Sequence, residues 1–474
     1  MMNRTKYLLK NTAILFISNF ASKLLVFFLL PLYTSVLSTA EYGISDLITT
    51  TVTILYIFLT LYISNGIIRY TMNGEADNKE IFSIGIAVVF ISTVIVALGS
   101  VVAAGLNLFP SMTPYYGYLV FIYSVSCLSS MFNAYAKGRE KIRLLGIAGI
   151  TATAVRLLLN ILLLVVVKMN IRGYLISAAC SYVAGCLVYL IGGLLKDTKI
   201  KLPSKENLIK LVKYSAPIAA TEVGWLICTS SDKYIVSWLL GDASTGIISV
   251  AHRLPSILTA FTSVFIQAWS LSAIKEYANK DKSQYYTKMF NYYNSFAIVA
   301  GAVLILLSRL IGAFLFRGDF SVAWIYTPIY LTALVINTMS SFSGSIISAG
   351  TDTRPLFTST MTGAVLNIVL DIILIKYFGI FGAGIATAFS YLVIGVMRMQ
   401  TVKKDFDIQI EMKRMSISIV LLVALTMTMI SSDSIYCLTA SILLCGIIIA
   451  VNANRIKDIV VMIKSLAFSI LKKV

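Results

Sequence analysis

IGIAVVFISTVIVALGSVVAAGL, residues 84–106, carries no charged side chain and no proline. Wound as a helix at about 1.5 Å per residue it spans the ~30 Å of hydrocarbon in a bilayer. Residues 415–432 and 435–454 are equally free of charge. Working outward from these three runs, further spans fall at 12–37, 44–70, 117–136, 144–167, 174–195, 214–240, 246–271, 292–316, 322–348, 356–377 and 380–400, fourteen in all. Strands of a membrane barrel alternate between lipid and lumen and never give runs this dense. The fold class predicted is all-α, a polytopic membrane protein.

Composition agrees. Of 474 residues, 58% are apolar and 13% charged, with mean hydropathy +0.86. Water-soluble domains carry about 25% charged residues, so a soluble globular enzyme is excluded. The net charge of +18 then belongs to loops and lipid, and nucleic acid is not an expected partner. Assigning loops alternately to two sides puts most of the 39 Lys and Arg on one side, in clusters at 4–10, 137–143, 196–213, 275–288, 398–414 and 455–473. The opposite side holds Lys168, Arg172, Arg317 and Lys376. Cytoplasmic loops carry the basic excess, so both termini are expected in the cytoplasm and the chain in the cell membrane. The first apolar run lacks a small-residue cleavage site and is retained as a helix. The six cysteines all fall within spans without a C-x-x-C pair, and the lone His252 cannot build a zinc site. No metal and no catalytic residue is assigned.

The chain also resembles itself. Asn160 opens NILLLVVVK, followed by Gly173 and Ser181-Tyr182; Asn367 opens NIVLDIILIK, followed by Gly382 and Ser390-Tyr391. The offset is 207 residues at the asparagines and 209 at the other positions. A second pair, SVLSTAEYGIS around Gly43 and WLLGDASTGIIS around Gly246, is offset by 203. One shared period predicts a duplication: a six-helix bundle in 1–195, a linker at 196–213, a second bundle in 214–400, and two extra helices with a tail in 401–474. An even number of spans per half makes the repeats parallel, related by an axis along the membrane normal around a central cavity. That architecture points to a transporter working by alternating access.

What it carries is read from charges inside the spans, which are costly there and face cavities or partners. Lys23, Arg156, Lys233, Arg253 and Arg309 stand against Glu222, Asp232 and Asp371. Lys23, Arg156, Lys233 and Arg253 converging on one cavity would suit an anionic substrate. The alternative has Asp232 neutralise Arg253 or Lys233, Asp371 pair with Arg156, and Arg309 reach the outer headgroups. Glu222, Asp232 and Asp371 are the positions for coupling to a proton or sodium ion or for charge pairing, and no other cofactor is expected.

KNTAILFISNFASK at 10–23, LPLY at 30–33, EYG at 41–43, SAPI at 215–218, DKYIVSWLLG at 232–241 and AHRLP at 251–255 resemble the polysaccharide exporter branch of the multidrug/oligosaccharidyl-lipid/polysaccharide exporter superfamily. The resemblance covers all the spans. It implies a flippase carrying undecaprenyl-pyrophosphate-linked oligosaccharide repeat units of capsule, O-antigen or exopolysaccharide to the outer leaflet. It also implies a basic residue of the first helix, here Lys23, in a cationic cavity, with a polysaccharide polymerase and membrane lipids as partners. A lipid II flippase is the nearer alternative, since its substrate carries the same pyrophosphate. A multidrug exporter is disfavoured because the first helix has no acid, and a membrane polymerase because no nucleophile–base pair or phosphate-binding glycine loop is present.

Overall fold

The computed structural model describes residues 29–74, 77–196, 201, 204–277, 281–350, 352–431 and 434–471. Every regular element among them is a helix. In chain order these are α1 (Leu30–Val36), α2 (Thr39–Leu59), α3 (Ser64–Asn73), α4 (Asn78–Gly105), α5 (Tyr116–Gly138), α6 (Ile142–Asn160), α7 (Asn170–Ile191) and α8 (Lys205–Leu240). There follow α9 (Asp242–Ala251), α10 (Arg253–Glu276), α11 (Lys282–Leu315), α12 (Ala323–Ala349), α13 (Arg354–Phe378), α14 (Ile380–Phe406), α15 (Met412–Ser431) and α16 (Ile435–Leu471). Twelve helical stretches among the described residues are long and apolar enough to cross a membrane. The chain is a multi-pass membrane protein. The 36-residue α8 is not among the twelve, because charged residues interrupt it, and the first expected span lies mostly outside the described residues.

Hydropathy located the spans and missed their breaks. The expected span 44–70 is two helices, α2 and α3, parted where Leu61 and Tyr62 turn left-handed with φ of 49° and 50°. Both residues are apolar enough to keep the hydropathy high, so nothing in composition marks the break. The Tyr62 amide donates to Ile57 O at 3.2 Å, and Tyr56 Oη donates to Ser64 Oγ at 2.9 Å, which satisfies polar groups where water is scarce. The expected span 246–271 likewise starts earlier, at Asp242, and is interrupted at His252 between α9 and α10. After α6 the helix widens into a π turn over Ile161–Val166.

Helix starts follow local chemistry. At α2, Ser38 Oγ accepts the Glu41 amide at 3.2 Å while Glu41 Oε2 accepts the Ser38 amide at 2.9 Å. This capping box is legible in the string STAE and satisfies amides that the helix cannot. Asp77 caps α4 by accepting the Lys79 amide at 3.0 Å.

Contacts divide the chain into two compact units, 1–226 with 240–246, and 227–239 with 247–474. In the first, α5 is the central helix and packs on α2, α3, α4, α6 and α7, while α6 lies along α7. In the second, α12 has that place, packing on α10, α11, α14 and α15, with α13 along α14. The glycines of the repeat signature have a steric role. A Cβ on Gly173 would stand 3.1 Å from Leu163 Cβ, and one on Gly382 would stand 2.2 Å from Leu374 O. Each lets a helix start directly against the end of the one before it. Small residues at such contacts are how membrane helices pack without a hydrophobic driving force between them. The second unit adds an aromatic core in which Trp269 stacks on Phe342 at 4.7 Å and Phe342 meets Phe290 and Tyr293, pairs worth about 0.5–1.5 kcal/mol each.

Candidate functional site

In the first unit the structure sets a cation on an aromatic cluster. Arg156, on α6 and partly buried, places its guanidinium 5.8 Å from the centre of the Tyr174 ring, with Nη2 3.5 Å from Tyr174 Oη. Tyr174 meets Tyr33 edge-on at 5.1 Å, and Tyr42 closes the group at 6.3 Å from Tyr33 and 6.5 Å from Tyr174. Asn160 holds the cluster from below: its Nδ2 donates to Tyr33 Oη at 2.8 Å and its Oδ1 accepts from Ser177 Oγ at 2.6 Å. Asn160 is fully buried and begins the repeat signature. Arg156 Nε has no hydrogen-bond partner, and no acid lies within ion-pair distance of Arg156 among the described residues. A guanidinium satisfied only by a phenol and a ring face keeps donors open for an anion. Lys23, its expected companion, lies outside the described residues.

Glu222 sits partly buried on the first-unit stretch of α8.

The second unit gathers the acids. Ser231 Oγ on α8 lies 2.8 Å from Asn367 Oδ1 and 3.1 Å from Asp371 Oδ2, both on α13. Asp371 and Asn367 are wholly buried, and Asp371 Oδ1 and Asn367 Nδ2 have no partner among the described residues. Asp232, 3% exposed, accepts the Lys233 amide on Oδ1 at 2.8 Å, and its Oδ2 lies 3.5 Å from His252 Nε2. His252 in turn meets the Tyr330 ring at 4.0 Å. Lys233 and the first residue of α10, Arg253, are partly buried. Asp371 is hydrogen-bonded to Ser231 in the second unit, and Arg156 meets Tyr174 in the first. Arg309 lies 5.4 Å from the Trp324 ring.

Two residues escaped the sequence reading. Arg398 was counted among loop charges because it closes the apolar run 380–400. It is 8% exposed, with Nε donating to Ser359 Oγ at 3.0 Å, Nη1 to Ser340 O and Oγ at 3.2 Å, and Nη2 to Thr360 Oγ1 at 2.8 Å. The signal available was the hydroxyl pair Ser359-Thr360, one helix back. His252 was weighed only as a zinc ligand, and its position beside Asp232 has no sequence signature.

Residues 8–270, more than half of the chain, match the family model described as "Polysaccharide biosynthesis protein". The chain belongs to that family. Among curated members of similar sequence is the "Probable low-salt glycan biosynthesis flippase Agl15" of Haloferax volcanii, 27% identical over 227 residues. That match spans 46% of this chain and 47% of the relative, so the two are similar over about half their lengths. Among solved structures, a lipid II flippase in an inward closed conformation superposes with TM-score 0.70 at 16% identity, covering 94% of this polysaccharide biosynthesis protein and 100% of that chain. An inward-facing multidrug resistance transporter described as a member of the MOP superfamily superposes with TM-score 0.66 at 14% identity, over 82% of this chain and 95% of that chain. At these identities the likeness is one of fold.

Proposed function

We propose that the protein is a flippase that moves a lipid-linked oligosaccharide, carried on undecaprenyl pyrophosphate, from the inner to the outer leaflet of the cell membrane. The observation that carries this reading is Arg156: a cation inside a membrane span, without an acid partner among the described residues, beside three tyrosines. Guanidinium donors suit a pyrophosphate, and tyrosine rings with their hydroxyls suit sugars. In this reading 1–195 and 214–400 are duplicated halves, both termini face the cytoplasm, and Lys23 joins Arg156 on the substrate. Membrane lipids and a polysaccharide polymerase are the partners, and Lys233 and Arg253 are the further cations proposed for the substrate. Coupling to a proton or sodium ion runs through Asp232 and Asp371, the latter with its Oδ1 buried and without a partner among the described residues, and Glu222 is the third acid.

Complementation tests it. The protein is expressed in a strain lacking its capsule-unit flippase and, separately, in one depleted of its lipid II flippase. Restored surface polysaccharide in the first, lost on Lys23→Ala or Arg156→Ala at normal protein level, supports the reading. Rescue of growth in the second alone moves the substrate to lipid II.

A further inference from the structure

Where α14 gives way to α15, the second unit carries a cavity of about 480 Å³ lined by Glu411, Met412, Lys413, Arg414, Ile417 and Val451. Its charges are unbalanced. Glu411 holds Arg414 Nη1 at 2.6 Å and also receives Arg455. Arg455 further reaches Asp458 at 3.9 Å, and Asp458 accepts from Tyr292 Oη at 3.2 Å. One carboxylate therefore serves two guanidiniums and fixes their positions, while the remaining N–H groups of Arg414 carry no other ion pair. Lys413 is exposed and has no ion pair among the described residues. Beside these cations lie apolar side chains that the protein leaves uncovered: Met412 is 50% exposed and Ile417 43% exposed.

One open cation, Lys413, beside an Arg414 held by Glu411 and next to an open apolar floor, fits one kind of occupant, an amphiphile with an anionic head. We propose that this groove binds an anionic phospholipid, its phosphate on Lys413 and Arg414 and its first acyl methylenes on Met412, Ile417 and Val451. The helix arrangement favours it: α15 begins at Met412, so Met412 and the cations stand together at a helix end, where a headgroup lies, and Ile417 follows about one turn further along, where acyl chains begin. Basic groups at such helix ends attract anionic lipid. A zwitterionic lipid would bring its own cation to Lys413 and Arg414 and is disfavoured. The site shares no residue with the Arg156 cluster or with the Asp232–Asp371 region, and it does not depend on which molecule the protein flips.

Native mass spectrometry of the full chain in detergent, with phosphatidylglycerol or phosphatidylcholine added at equal concentration, tests the assignment. The wild type is expected to retain phosphatidylglycerol preferentially. Lys413→Gln is expected to cut that preference roughly fivefold, the loss of one basic group near a headgroup, and Lys413→Arg to keep it. Lys413 is exposed and unpaired, so its replacement leaves the fold intact, and unchanged elution and circular dichroism confirm this. Equal retention of the two lipids by the wild type overturns the proposal. So does an unchanged preference in Lys413→Gln, or displacement of the lipid by millimolar inorganic phosphate alone.

Discussion

Gly43 and Gly246 meet backbone to backbone, each occupying the room that a side chain on the other's helix would need. A Cβ on Gly43 would stand 2.2 Å from Asp242 O and 2.7 Å from the Gly246 amide, and a Cβ on Gly246 would stand 1.9 Å from Thr39 O. The contact is reciprocal: 203 residues separate Gly43 from Gly246, and 203 separate Thr39 from Asp242. Both glycines lie in the first compact unit, so the contact belongs to that unit's own packing.

Because neither backbone oxygen can move away alone, Gly43→Ala and Gly246→Ala are each expected to lower stability by about 1–3 kcal/mol, the range for overpacking. The double substitution should cost less than the sum, since the first already opens the contact. Thermal melting in detergent measures this, with Gly99→Ala, where a Cβ meets nothing within 4 Å, as the neutral control. Additive losses would mean that the two glycines do not share one contact.

Arg398→Met should destabilise the second unit more than any surface change. It strips donors from Ser340, Ser359 and Thr360, which lie on α12 and α13, and each buried polar group left unsatisfied costs about 1–3 kcal/mol. Arg398→Lys should recover only part of the loss, since one ammonium cannot reproduce the planar fork. Equal melting temperatures for wild type and Arg398→Met would show that the buried network contributes nothing.

Asn160→Leu is expected to cost about 1 kcal/mol by removing the hydrogen bonds that Asn160 makes with Tyr33 Oη and Ser177 Oγ, the latter keeping its bond to Tyr174 O. It should also reduce transport, because the ring cluster that supports Arg156 loses its anchor. Arg156→Lys should keep stability and lose activity by comparison with wild type. If Arg156→Lys transports normally while Asn160→Leu does not, the cluster acts through folding alone.

Low pH should loosen the start of α4. The Lys79 amide and then Lys201, 3.3 Å away, hold the Asp77 carboxyl below its usual range. A carboxyl depressed by folding contributes stability that is complete above its unfolded value near 3.9 and is lost as the pH falls through the lower folded value. Amide exchange at Lys79–Ile81 should therefore rise below about pH 4. Asp77→Asn, which keeps a capping side chain, should remove that dependence, and an identical pH profile in the variant would locate the effect elsewhere.

Spans were legible because they rest on a local rule: residues 84–106 have no charge to place in water. The break at Leu61–Tyr62 and the interruption at His252 were not, since hydropathy averages over them and backbone conformation there depends on neighbours such as Ser64 and Tyr330. Arg156 was found as a buried charge. That it rests on Tyr174, Tyr33 and Tyr42, drawn from α1, α2 and α7, required the packing of those helices.

By itself the sequence determined that this chain lives in a bilayer as helices, that its signature residues recur at one period, and which charges it commits to the membrane. These follow from transfer energetics, which depend on composition along the chain. Only the tertiary structure decided which of those charges find partners: Asp371 with Ser231, Asp232 beside His252, Arg398 sealed among hydroxyls, and Arg156 with a nitrogen left open. The physical reason is that a charge in low dielectric is governed by the few atoms within hydrogen-bond reach. Those atoms come from helices distant in sequence, which only the packing brings together.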